Sequence, residues 1–311
     1  MRDVQIIGGG AAGLSAALYA ARAGLSVRIF DSMGGGGQMS EAAEIENYPG
    51  VGRIAGTALA EEMVRAARAA GAELIAAEVE GAMREETGFS LLCGDRVYEG
   101  RTLILANGVT PRRLDVAGER ELLGRGVSYC ALCDGRFFGG KTVAVVGGGS
   151  SALSEALYLA RTAAAVHIIH RRREFRGERA LIERLQALPN VVLHTERQVT
   201  HIHGENAVTG VTLTQPSGEC EQLKLEGVFI AIGRVPHNER FANLFALDEN
   251  GYVLAGEDCS CGRGLFSAGD TRTKSVRQVS TAVGDGAIAA EEARLYLEKN
   301  FTCQTVANVL Y

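Results

Sequence analysis

Cys130-Ala131-Leu132-Cys133-Asp134 is the stretch of this chain best equipped for chemistry. Two cysteines in C-x-x-C spacing can close a small disulfide, and one of the thiols, its pKa lowered, can act as a nucleophile in exchange. The same spacing could supply two ligands of a zinc site. Zinc would need a second pair, however, and Cys259-Ser260-Cys261 has a poor ligand spacing, so no metal is expected. Two unrelated buried cysteines are the remaining alternative. Asp134 argues against it, because disulfide exchange needs a proton donor and acceptor beside the sulfur, and a carboxyl raised by burial can serve. It could instead cap the following turn, and the sequence leaves both roles open.

A nucleotide-binding phrase stands on either side of the cysteine pair. The first copy runs from Val4 through Gly8-Gly9-Gly10-Ala11-Ala12-Gly13 to Ile29-Phe30-Asp31, and the second from Val143 through Gly147-Gly148-Gly149-Ser150-Ser151-Ala152 to Ile168-Ile169-His170-Arg171-Arg172. Leu14, Ala17, Leu18, Tyr19, Ala21 and Arg22 recur as Leu153, Ala156, Leu157, Tyr158, Ala160 and Arg161. In such a strand-turn-helix-strand unit the first glycine (Gly8, Gly147) makes the tight turn and the second (Gly10, Gly149) lets the backbone approach a pyrophosphate. The third position (Gly13, Ala152) must be small for helix and strand to pack. The helix N-terminus, reached through Ser150 and Ser151 in the second copy, offers its amides to phosphate. A glycine-rich turn of an ordinary α/β protein is the alternative. The flanking strands and helix, all within about 30 residues, instead supply the context that a dinucleotide site requires.

The two copies end in opposite charge. Asp31 closes the first, where an acid can accept hydrogen bonds from ribose hydroxyls, as in a site for FAD or NAD. His170 closes the second and is followed by Arg171, Arg172, Arg173 and Arg176. An acid would repel a 2′-phosphate, whereas clustered guanidiniums bind it by charge-assisted hydrogen bonds. The second copy therefore reads as an NADPH site, against the alternative of a solvated helix start.

These residues resemble the low-molecular-weight, bacterial-type thioredoxin reductases. The resemblance covers nearly the whole chain and includes Gly36-Gly37-Gln38, Glu46-Asn47-Tyr48-Pro49-Gly50, Cys130 to Gly135, His170-Arg171-Arg172 with Arg176, Ala231-Ile232-Gly233-Arg234, Ala268-Gly269-Asp270 and Arg277-Gln278. It implies an NADPH-dependent FAD flavoprotein and homodimer that reduces the disulfide of thioredoxin. By that resemblance Gly8, Gly10 and Gly13 cradle the FAD pyrophosphate, while Gly37, Gln38 and Asn47 line more of the flavin nucleotide. Gly269-Asp270 approaches its ribityl or phosphate region, and Arg277, Gln278 and Val279 open a helix facing the isoalloxazine. Cys133 would be the thiol nearest the flavin and Cys130 the one that attacks thioredoxin. The resemblance also implies hinge rotation between two domains during turnover. Ala11, Asn107 and Arg173 depart from the family pattern: Asn107, in place of threonine, could alter a contact with flavin, and Arg173, in place of an acid, should favour NADPH.

An α/β fold must position these groups, with two Rossmann-like dinucleotide-binding domains, the second inserted in the first. The expected division is an FAD-binding first part over 1–112, an NADPH-binding domain carrying the cysteine pair over 113–240, and the rest of the FAD-binding domain over 241–311. Helices are expected over 57–70, 177–188 and 278–298, and strands over 102–106, 227–231 and 265–268. Composition narrows the classes: a net charge of −5 argues against nucleic-acid or anionic-membrane partners. No apolar run reaches the roughly 18 residues of a membrane span, and no secretory signal precedes the first strand. Seven cysteines without a regular framework suit a reducing compartment, so a cytoplasmic protein is expected. Cys93, Cys220 and Cys303 are expected to be small hydrophobic or surface residues, and pairing of Cys259 with Cys261 stays open. Alternatives to NADPH-driven thioredoxin reduction are a flavin and dithiol enzyme fed by ferredoxin, an oxidase of small-molecule dithiols, and a non-catalytic redox or nucleotide sensor. The arginine cluster weighs against the first two, and the acid beside the cysteines against the third.

Overall fold

The computed structural model describes residues 1–42 and 44–301. Cys303 lies outside the described residues. The chain divides into two compact units, Met1–Thr110 with Val235–Tyr311, and Pro111–Arg234. Up to the first crossing the elements are β1 (Arg2–Ile7), α1 (Ala11–Arg22), β2 (Val27–Phe30), α2 (Gly56–Ala69), β3 (Glu73–Ile75), β4 (Gly81–Glu85), β5 (Gly88–Cys93), β6 (Arg96–Leu105) and, at the crossing, β7 (Thr110–Pro111). The second unit holds β8 (Val127–Ser128), α3 (Ala131–Asp134), β9 (Thr142–Val146), α4 (Ser150–Leu159), β10 (Ala165–His170), α5 (Arg179–Gln186), β11 (Val191–Thr195), β12 (Gln198–Gly204), β13 (Val208–Thr214), β14 (Cys220–Lys224) and β15 (Gly227–Ile230). After the return through β16 (Arg234–Val235) come β17 (Ser260–Gly262), β18 (Leu265–Ser267) and α6 (Val279–Phe301).

In the first unit β1 lies between β2 and β6, parallel to both; β3 extends the sheet beyond β2. β6 is used twice along its length: Arg96–Gly100 pairs antiparallel with β5, and Leu103–Leu105 pairs parallel with β18. Strand residues alternate between two cores, as a sheet covered on both faces demands. Val4, Ile6, Ile29 and Ile104 pack with α1, α2 and α6, whereas Ile7, Phe30, Leu103 and Leu105 pack with Phe241 and Phe245. α1 and α6 come close because the contact is lined by small residues. A Cβ on Gly286 would lie 2.2 Å from the Ala12 carbonyl oxygen, and Ala16, Ala289 and Ala293 are fully buried. This helix pair joins the N-terminal and C-terminal parts of the unit.

The second unit repeats the theme with a parallel sheet in the order β11-β10-β9-β15-β8 and an antiparallel sheet β12-β13-β14. Val143, Val145, Val166 and Ile168 pack with Leu153 and Ala156 of α4, while Ala144, Val146 and Ile169 pack with Val199, Val211 and Leu213. Thus β1-α1-β2 and β9-α4-β10 are the same parallel strand-helix-strand unit. The helix expected over 177–188 is shorter, starting after Glu178, and that over 278–298 begins at Val279 and continues to Phe301. The return crossing falls at Arg234/Val235, ahead of residue 240. The reason is Asn238, fully buried in the first unit, whose amide donates to Gly251 O and Thr271 O. Among the described residues no helix is long and apolar enough to cross a membrane.

Candidate active site

The first glycine turn separates residues that serve the fold from one that leaves room. Gly8 has φ +102°, and a Cβ there would lie 2.3 Å from Ala106 O; at Gly13 it would lie 1.9 Å from Gly8 O. At Gly10, which precedes α1, a Cβ would meet nothing within 4 Å. The α1 N-terminus has no side-chain cap, so no side chain there satisfies its first amides. Asp31 ties this turn to the next loop: its Oδ2 accepts the Gly9 N–H at 2.8 Å, and Oδ1 accepts those of Met33 and Gly35 at 2.9 and 3.0 Å. The carboxylate expected to meet a ribose therefore also shapes the loop.

The other expected flavin-site residues gather around these elements. A Cβ on Gly37 would lie 3.1 Å from Gly10 Cα, and one on Gly269 would lie 2.7 Å from Ala12 Cβ. Gln38 Nε2 donates to Val109 O at 2.6 Å, Asn47 Nδ2 to Gln278 Oε1 at 3.0 Å, and Arg277 Nε to Asp270 O at 3.2 Å. Val279 is the first residue of α6. Asn107 donates to Asn238 Oδ1 and His237 O, while its own buried Oδ1 has no hydrogen-bond partner among the described residues. A buried acceptor of this kind suits a bound group that brings an N–H or O–H. Together with the open face of Gly10, it makes the residues of this unit fit a flavin nucleotide.

The second turn has the same division of labour. Gly147 has φ +154°, and a Cβ there would lie 2.3 Å from Ala231 O, whereas at Gly149 it would meet nothing within 4 Å. Ala152 is fully buried, as the small third position requires. Ser150 and Ser151 open α4, and Ser150 Oγ accepts the Glu178 N–H at 3.2 Å. The arginine segment folds back onto this turn, with Arg176 N and Gly177 N donating to Gly148 O at 2.7 and 3.1 Å. His170 is buried against Gly148, stacks on Phe175 and donates from Nε2 to Glu174 O at 3.1 Å. Burial holds its pKa below the ordinary value, reinforced by the positive field of Arg176, Arg172 and Arg171. Those three arginines are all exposed, and their positive field is felt at a ring buried beside a glycine turn with an open cradle. This suits the phosphate of a nucleotide.

Cys130 and Cys133 form a disulfide with Cα atoms 5.3 Å apart. Cys130 precedes α3, and its Sγ accepts the Cys133 N–H at 3.2 Å. The same bond would favour a Cys130 thiolate in the reduced state. Asp134 closes α3. Burial pushes its carboxyl above the usual carboxylate range, partly offset by the Ser128 hydroxyl, which donates to Oδ2 at 2.6 Å. Three neighbours were not singled out from sequence. Ser128 Oγ accepts the Cys130 N–H at 3.0 Å; Glu155 of α4 accepts the Ala131 N–H at 3.2 Å; and Glu119, 1% exposed, accepts from Leu114 N, Asp115 N and the Tyr129 hydroxyl. A serine before the C-x-x-C and an acid in the middle of an apolar helix were the available signals. Cys93, Cys220, Cys259 and Cys261 are free thiols, and burial pushes Cys259 and Cys261 up to about 11 and about 12. Among the described residues no group of three or more His, Cys, Asp or Glu could hold a metal ion.

The pyridine nucleotide-disulphide oxidoreductase family model matches residues 2–286. Thioredoxin reductase of Bacillus subtilis is 41% identical over 300 residues, covering 96% of this chain and 95% of that one. Thioredoxin reductase of Treponema pallidum is 40% identical over 299 residues, covering 95% and 97%. The crystal structure of thioredoxin reductase from Streptococcus pyogenes superposes with a TM-score of 0.92 at 39% identity, covering 96% of this chain and 99% of that one. Its glycine turns, its disulfide and these matches together place the chain in the pyridine nucleotide-disulphide oxidoreductases, as a member of the thioredoxin reductase family.

Proposed function

We propose that this chain is an NADPH-dependent thioredoxin-disulfide reductase, with FAD held by the first unit and NADPH by the second. The observation that carries the proposal is a Cys130–Cys133 disulfide, flanked by a half-buried acid, in the same unit as a glycine turn onto which the segment carrying Arg171, Arg172 and Arg176 folds back. Gly8, Gly10, Gly13, Asp31, Gly37, Gln38, Asn47, Gly269, Asp270, Arg277, Gln278 and Val279 would hold FAD. Gly147, Gly149, Ser150, Ser151, His170, Arg171, Arg172 and Arg176 would hold NADPH. When bound, FAD supplies the exchange of a hydride from NADPH for the two electrons that a disulfide needs.

Two electrons and two protons convert the Cys130–Cys133 bond to two thiols, and Asp134 would give or take a proton beside them. Cys130, whose thiolate the Cys133 amide stabilises, attacks the partner's disulfide. One partner thiol leaves and a mixed disulfide forms. Cys133 then attacks Cys130 Sγ, releasing the second partner thiol and restoring the internal bond. Leu132 and Phe137, exposed large hydrophobic residues around this turn, suit a protein partner better than a small dithiol. A homodimer and a cytoplasmic site of action belong to the same proposal; light scattering and cell fractionation test them.

The deciding experiment is steady-state oxidation of NADPH, and separately NADH, with and without thioredoxin, using a disulfide dye as final acceptor. Turnover that requires both NADPH and thioredoxin is expected. Turnover with ferredoxin or a small dithiol but not with NADPH and thioredoxin would overturn the proposal.

A further inference from the structure

Glu155 is the carboxylate of α4 that reaches the dithiol turn. Its Oε2 accepts the N–H of Ala131, the residue joined directly to Cys130, at 3.2 Å. The two elements cannot drift apart easily. Leu153, Ala156 and Leu159 anchor α4 in the core, and Gly135 lies so flat against it that a Cβ would come within 2.9 Å of Leu159 and 3.0 Å of Tyr158. The turn therefore carries two acids through different contacts: Asp134 bonded to Ser128, and Glu155 bonded to the backbone beside Cys130. Burial pushes the Glu155 carboxyl up to about 7, with the Ala131 amide and the positive field of Arg234 offsetting part of the rise. Cys133 and Asp134 on α3, Arg136 in the following turn and Tyr158 on α4 itself are the titratable groups nearest in the chain to this contact, while α5 and β10, which also pack on α4, carry Arg179, Glu183 and Arg184, and His167 and His170.

We propose that Glu155 is a positioning residue that sets the acidity of the Cys130 thiol, its carboxylate opposing the Cys130 thiolate from a fixed place beside the same peptide. A proton leaving Cys130 can be taken up by an ionised Glu155, so the pair carries one negative charge either as thiolate and acid or as thiol and carboxylate. Its ionisation then belongs to the pair and proceeds in two macroscopic steps. The inference rests on Cys130 as the attacking thiol. Its test needs neither NADPH nor thioredoxin, so failure of the proposed activity and failure of this coupling are distinguishable.

The whole chain carrying Cys133→Ser is reduced chemically and alkylated with iodoacetamide across about pH 5 to 10, and modification of Cys130 is followed by peptide mass spectrometry. Glu155→Gln keeps an acceptor for Ala131 N–H but removes the charge. It is expected to move the Cys130 midpoint down by about half a unit or more. Glu155→Asp, which keeps the charge, is expected to stay nearer the parent profile. An unmoved midpoint in Glu155→Gln overturns the proposal, as does a shift in Glu155→Ala alone, which would mean that only the hydrogen bond matters. Should Glu155→Gln fail to fold, Asp134→Asn in the same Cys133→Ser background decides: coupling to Glu155 requires two inflections for Cys130 that survive this change, and a single one overturns it.

Discussion

At the scale of single residues, the chemistry depends on where a proton can sit. Asp134 is ionised less readily than an ordinary aspartate because burial outweighs the help of the Ser128 hydroxyl. An acid that must be protonated to serve as donor loses activity as pH rises through its raised pKa. Asp134→Asn is therefore expected to lower thioredoxin-dependent turnover by about 100-fold and to flatten that alkaline limb. Ser128→Ala, which removes the bond favouring the carboxylate, should move the limb to higher pH. The pH profile of kcat checks both, and an Asp134→Asn enzyme with undiminished turnover would remove Asp134 from the mechanism. Asp134 was legible because it adjoins the cysteines in sequence. Ser128 and Glu155 were not, because nothing in local spacing reveals that a strand end and a helix flank converge on one turn.

At the scale of elements, the repeated glycine phrase was legible because each glycine answers a separate steric demand within a few residues. The antiparallel sheet β12-β13-β14 and the β4-β5 hairpin were not foreseen, since their short strands lack a clean polar/apolar alternation and nothing in them names the strand they pair with. The open cradles make a clean contrast. Gly147→Ala places a methyl 2.3 Å from Ala231 O and forces the φ +154° backbone toward a region alanine avoids, so lost thermal stability is expected. Gly149→Ala meets no protein atom within 4 Å, so the melting temperature should hold while the KM for NADPH rises at least about tenfold, the effect of losing roughly 1.4 kcal/mol of binding. Differential scanning fluorimetry and NADPH titration separate the two. An unchanged KM in Gly149→Ala would show that the nucleotide does not lie against that turn.

At the scale of the whole molecule, the first unit is made of two pieces of chain that meet only after the second has been threaded between them. Its integrity rests on α6 packing against α1 through small residues, and within the C-terminal piece a buried ionic group fixes α6 to the Gly269 turn that precedes it. Asp285 of α6, 6% exposed, accepts from Arg272 at 2.8 and 3.1 Å, from Lys274 at 2.8 Å and from Gly269 N at 2.9 Å. Burial alone would raise its pKa, but the bonds from Arg272 and Lys274 outweigh it and hold the carboxyl below the usual carboxylate range. A carboxyl depressed in this way contributes stability that is complete above its unfolded pKa and is lost as pH falls through the folded one. Asp285→Asn would strand two cations, whose side chains are only 11% and 9% exposed, without their counter-ion. The expected cost is about 3–5 kcal/mol near neutral pH, the usual result of breaking a buried pair from one side. The gap between wild type and Asp285→Asn in urea midpoint should therefore narrow as pH is lowered below about 4, where the wild-type carboxylate is itself being neutralised. A gap that stayed constant from neutral to acid would mean that Asp285 acts through shape rather than charge, and that the Arg272–Asp285–Lys274 group is not what fixes α6 to the segment before it.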